Sequence, residues 1–149
     1  MAVNIISKRV ADLSDVPVKN PDGSPMVDDQ GKPVTATMFS PGTKIYEVAK
    51  AAQKRKAVRR TRENGGKIEA AFDNENDDTV EFLCAIIKRF NNLEIECDDQ
   101  SDKGVVLAVL SDPLLGFVRD HLDDAASNWE NFTKASQPVS VSTSDNSHG

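Results

Sequence analysis

Two stretches of this chain repeat apolar residues at the spacing of one helix face, and each must bury that face against something. Val80, Leu83, Cys84 and Ile87, continuing to Phe90 or Asn91, follow an i, i+3, i+4, i+7 pattern. Leu115, Val118, Leu122, Ala125, Trp129 and Phe132 recur at alternating steps of three and four. With 38% hydrophobic residues and 5% aromatic ones over 149 positions, the chain has material for one modest core. The two stripes therefore meet, or meet a partner, and the predicted core is Val80, Leu83, Cys84, Ile87, Leu115, Val118 and Leu122. Asp78-Thr79-Val80-Glu81 has the form of a capping box with Asp78 at the cap, and Asn91-Asn92 closes that helix. Ser111-Asp112-Pro113 sets a capping residue before a proline, which opens a long amphipathic helix ending near Thr133.

A third helix precedes these. Ser40-Pro41-Gly42-Thr43 starts it, with Thr43 or Ser40 as cap, and Asn64-Gly65-Gly66 stops it. Its stripe of Ile45, Val48, Ala49 and Ala52 continues into Lys56 and Arg59, so the apolar face runs out after two turns. The helix over 44–63 is therefore expected to project its basic half into solvent. Lys44 to Lys67 hold nine Lys and Arg residues against Glu47 and Glu63. Ile68 to Gly149 hold seventeen acidic residues against five basic ones. A basic arm thus sits beside an acidic body, in a chain of net charge −6.

The first 43 residues are rich in turn formers. Asn20-Pro21-Asp22-Gly23 and Asp28-Asp29-Gln30-Gly31 are turn signals, and Met26-Val27 and Val34 to Met38 have the content of short strands, giving a hairpin closed near Asp28 to Gly31. A two-stranded hairpin is marginal alone and needs support. Leu93 to Cys97 alternates like a short strand, Asp98 to Gly104 reads as a loop, and Val105 to Leu110 suits a strand or a short helix. The expected organisation is a flexible N-terminus over 1–15, one domain over 16–134 and a disordered Ser/Thr-rich tail over 135–149. The fold class is mainly α with a small β part: an N-terminal β-hairpin followed by about three helices. No apolar run reaches the roughly 18 to 20 residues of a membrane span, Met1 to Val10 lacks a signal-peptide core, and the expected location is cytoplasmic. Cys84 and Cys97 are expected as free thiols.

Chemical motifs fail on inspection. Asp73 to Asp78 begins like a calcium loop, but Asp78 replaces the turn glycine and Cys84 stands at the closing glutamate position. Asp98, Gln100 and Asp102 fail likewise at Val109. Asn64-Gly65-Gly66-Lys67-Ile68 lacks the upstream glycine and the magnesium-ligating hydroxyl of a phosphate loop. His121 and His148 supply no triad or zinc cluster with the two cysteines, so no catalytic residue, metal or cofactor is expected. Nucleic acid is disfavoured by the acidic body and by an arm whose one aromatic is Tyr46. The candidate contact residues are Lys54, Arg55, Arg59 and Arg62 on the arm, and Asp120, Asp123 and Asp124 as an acidic surface that another copy's arm meets in self-association. Trp129 and Phe132 are either core residues or exposed aromatic anchors.

Several stretches together resemble the tail assembly chaperones of tailed bacteriophages. They are Pro21 to Val34, Ser40-Pro41-Gly42-Thr43-Lys44, Glu81-Phe82-Leu83, Phe90-Asn91-Asn92-Leu93-Glu94, Ser111 to Val118 and Asn128-Trp129-Glu130-Asn131-Phe132, spread over Val16 to Thr133. The resemblance implies a non-enzymatic protein of the host cytoplasm that binds the tape-measure protein and helps recruit tail-tube subunits. It supplies no catalytic residue to transfer. Its competitors are a structural virion component, such as a tail-tube, connector or head-decoration protein, and a small nucleic-acid-binding regulator.

Overall fold

The computed structural model describes residues 1–72 and 74–133. The fold is mainly α with a small antiparallel sheet near the N-terminus. The expected tail over 135–149, and the domain end at 134, lie outside the described residues.

Strand β1 (Leu13–Pro17) pairs with β2 (Thr35–Phe39), and β3 (Ile87–Asn91) pairs with the other edge of β2, giving the order β1-β2-β3. Leu13 lies opposite Phe39, and Thr35 opposite both Pro17 and Asn91. The expected turns exist between β1 and β2. Asp28 to Gly31 closes a small loop bridged at Val27 and Pro33, and Asn20 to Gly23 closes another bridged at Lys19 and Pro25. However, β1 also pairs along the whole length of β2, and the sequence reading assigns three of its five residues to a flexible N-terminus. Its alternation is concealed by chemistry: Ser14 and Val16 both point inward and are buried, and one of the two is polar.

Helix α1 (Lys44–Glu63) is capped by Thr43, whose hydroxyl accepts the Tyr46 N–H at 3.2 Å and donates to the Ser40 carbonyl at 2.8 Å. It ends at Asn64-Gly65-Gly66, where both glycines take positive φ and the Gly66 N–H reaches back to the Thr61 carbonyl. Helix α2 (Glu75–Ile86) begins before the predicted cap. Asn74, at φ 59°, precedes it, and Asp78 lies inside the first turn. The helix also stops five residues early, because Ile87 to Asn91 satisfy their backbone groups on β2 instead. Phe82, Leu83 and Ile86 consequently form its buried face, while Val80 and Cys84 sit half-buried at its margin.

The segment Leu93 to Cys97 alternates half-buried and exposed side chains but forms no strand. Helix α3 (Asp102–Ser111) resolves the ambiguity at Val105 to Leu110. Ser101 caps it, and Gly104 is required there because a Cβ would collide with Asp99. Asp112 and Pro113 open a short 3-10 turn leading into α4 (Gly116–Ala126). The predicted long helix breaks at Ser127-Asn128, and Trp129–Phe132 forms a separate 3-10 turn. One core joins all these elements: Val16, Ala36 and Met38 from the sheet meet Leu83, Ile86, Val106, Leu110, Val118 and Leu122 from the helices.

Candidate interaction surface

Helix α1 does not project as expected. Its buried residues are Tyr46 and Ala49, whereas Ile45 and Val48 of the predicted stripe are exposed. The edge of the Tyr46 ring meets Phe82, with centroids 5.4 Å apart. The basic half then continues down the same side. Lys50 stands 4.6 Å from the Phe82 ring centroid, Lys56 pairs with Glu81, and Arg60 holds both carboxylate oxygens of Asp78 while its Nη1 donates to the Ala71 carbonyl at 3.0 Å. Three cations therefore bind α1 to α2 and to the 3-10 turn Ile68–Phe72. Arg60 and Asp78 are largely buried, and this explains why Asp78 does not serve as a cap.

Lys54, Arg55, Arg59 and Arg62 occupy the opposite side. None has an ion-pair or hydrogen-bond partner among the described residues, and between them Val58 is 55% exposed. The predicted group of four is thus brought together on one face.

The acidic trio separates. Asp120 pairs with Arg119 at 3.1 Å. Asp123 is half-buried and faces α1 of its own chain, where burial pushes its carboxyl above the ordinary range, Lys50 opposes this, and Asp124, Asp120 and Glu75 add to it. Burial likewise raises the Tyr46 phenol, with Asp123 contributing. Asp124 is exposed beside a 340 Å³ cleft between the end of β1 and α4. The three carboxylates therefore do not form the single open surface that the spacing predicts.

Trp129 and Phe132 also part company. Trp129 is 51% exposed and lies over Gly42, where a Cβ would stand 3.4 Å from the indole. Phe132 is 0% exposed, and its carbonyl accepts the Ala11 N–H at 2.7 Å. The exposed-anchor alternative fails for Phe132, which is a core residue, while Trp129 remains accessible. Cys84 and Cys97 are free and partly buried, with the Cys84 thiol pushed up by burial. Among the described residues no group of His, Cys, Asp and Glu is arranged to hold a metal ion.

The resembling stretches fall at junctions. Asn92 Nδ2 donates to Asp28 Oδ2 and to the Lys32 carbonyl, tying the Phe90 to Glu94 stretch to the turn region. The Lys32 N–H, then the Asn92 amide and the Gln30 N–H, hold the Asp28 carboxyl below its usual range. Trp129 ties the last stretch to Gly42, and Glu81 and Phe82 receive α1. Fold and surface together define a small α-rich domain on a three-stranded sheet, with four cations that have no ion-pair partner among the described residues gathered on one helix face. Comparison with protein-family models, with curated proteins and with solved structures returns no match.

Proposed function

We propose that this chain is a non-enzymatic tail assembly chaperone of a tailed bacteriophage, which binds the tape-measure protein and helps recruit tail-tube subunits. The observation that supports this reading is the position of the resembling stretches. Four of the six meet in pairs at the joints of the fold, Asp28 with Asn92 and Gly42 with Trp129, so these are joined by packing that a shared architecture would need. The exposed indole of Trp129 and the unpaired cations of α1 offer a contact surface of the kind such a role requires. No helix among the described residues is long and apolar enough to cross a membrane, in keeping with action in the host cytoplasm.

Co-expression with the tape-measure protein is the test. The chaperone reading expects the tape measure to be soluble only in the presence of this chain, and purified virions to contain almost none of it by mass spectrometry. Stoichiometric presence in virions would replace the reading with that of a structural component.

A further inference from the structure

The outer face of α1 has two parts in one line. Val48, Ala51, Arg55, Val58 and Arg62 recur at steps of three and four, as do Val48, Ala52, Arg55, Arg59 and Arg62, so the face forms a straight seam. Its first half presents apolar side chains, Ile45 44% and Val48 54% exposed, beside the exposed Lys44–Glu47 ion pair. Its second half carries Lys54, Arg55, Arg59 and Arg62 around Val58 and a shallow depression of about 580 Å³. The helix has 20 residues, which corresponds to about 30 Å of accessible length.

We propose that this face is the docking surface for an acidic amphipathic helix of a partner protein. Charge complementarity argues for the sign: four cations lie side by side with no carboxylate among the described residues to meet them, while the inward cations of the same helix each have a partner. The apolar half argues for a helix. A phosphate backbone would leave Ile45 and Val48 uncovered, and Tyr46, the aromatic of this helix, is turned into the core where no base can stack on it. A second copy's α1 fits this face poorly: parallel pairing would set cation against cation, and antiparallel pairing would lay each cation cluster on the other copy's apolar half, where Glu47 already pairs with Lys44. The partner helix thus carries apolar residues at steps of three and four, with carboxylates toward the end that meets Arg62. Apolar contact supplies most of the affinity and charge sets register and encounter rate, because exposed ion pairs each contribute only about 0 to 1 kcal/mol.

The inference relies on the chaperone reading only for which protein supplies the helix. Its test uses the full chain and synthetic peptides of about 20 residues, the length that spans 30 Å. One peptide has Leu at the seam and Glu beside it, a second has Lys in place of Glu, and a duplex DNA and a single-stranded RNA form further arms. The acidic peptide is expected to bind and the basic one not. The triple variant Lys54→Glu, Arg55→Glu, Arg59→Glu should weaken binding at least about tenfold at low salt, and Val48→Ser with Val58→Ser should weaken it severalfold at unchanged charge. Both variants are expected to keep the parent melting temperature. Equal binding of both peptides, indifference to charge reversal, or preference for nucleic acid would overturn the proposal. Peptide binding as described, with the tape measure left insoluble by the parent chain, would support the face and overturn the chaperone reading.

Discussion

On the inward side of α1, Lys56 pairs with Glu81 and Arg60 grips Asp78; one residue away along the chain, Arg55 and Arg59 meet no carboxylate among the described residues. The same side-chain chemistry serves cohesion on one face and remains available on the other. A residue's role here follows from its angle around the helix axis and from what faces it. The C-terminal turn repeats the lesson at smaller scale: Trp129 and Phe132 are three residues apart, one half in solvent and one in the core.

The C-terminal contrast should give the largest effect. Phe132→Ala is expected to cost about 3 to 5 kcal/mol in urea unfolding, and Trp129→Ala less than about 1 kcal/mol. Equal losses would mean that the indole is as structural as the phenyl ring. Next comes the inward face of α1. Asp78→Ala removes the carboxylate that Arg60 grips and should cost about 2 to 4 kcal/mol, somewhat below a fully enclosed pair because Arg60 keeps some solvent contact. On the outward face, Lys54→Glu, Arg55→Glu and Arg59→Glu together should shift stability by under about 0.5 kcal/mol in total, measured at high salt where surface repulsion is screened. A large loss there would erase the difference between the faces.

The smallest effects are those of pH, and they have opposite signs at two aspartates. Asp123 has a folded-state pKa above its unfolded one, so its ionised form opposes folding. Asp123→Asn should therefore raise the melting temperature at pH 7, with the gain vanishing as pH falls below the unfolded value of about 3.9. Asp28 has a lowered folded-state pKa and contributes stability above the unfolded value, which is lost as pH falls through the folded one. Asp28→Asn should lower the melting temperature at neutral pH, and the difference should disappear in acid. Melts of both variants across pH 2 to 7 would expose either sign as wrong.

The features legible before any folding are local. The Thr43 cap and the Gly65-Gly66 stop of α1, the turns at Asn20 to Gly23 and Asp28 to Gly31, the start at Asp112-Pro113 and the gathering of Lys54, Arg55, Arg59 and Arg62 each depend on a few neighbouring residues whose backbone preferences are their own. Leu83, Val118 and Leu122 are equally legible as core, because each lies on the apolar stripe of its own helix. Only the tertiary structure decided which face of α1 turns inward, where α2 gives way to β3, that Ser14 belongs to a buried strand edge and that Asp123 faces its own α1. In each of these a polar or ambiguous residue takes its place from a partner distant in the chain: Asp78 for Arg60, β2 for Ile87 to Asn91, Lys50 for Asp123. Hydrophobic periodicity cannot register such pairs, because burial of a polar group depends on the group that satisfies it and not on its own side chain.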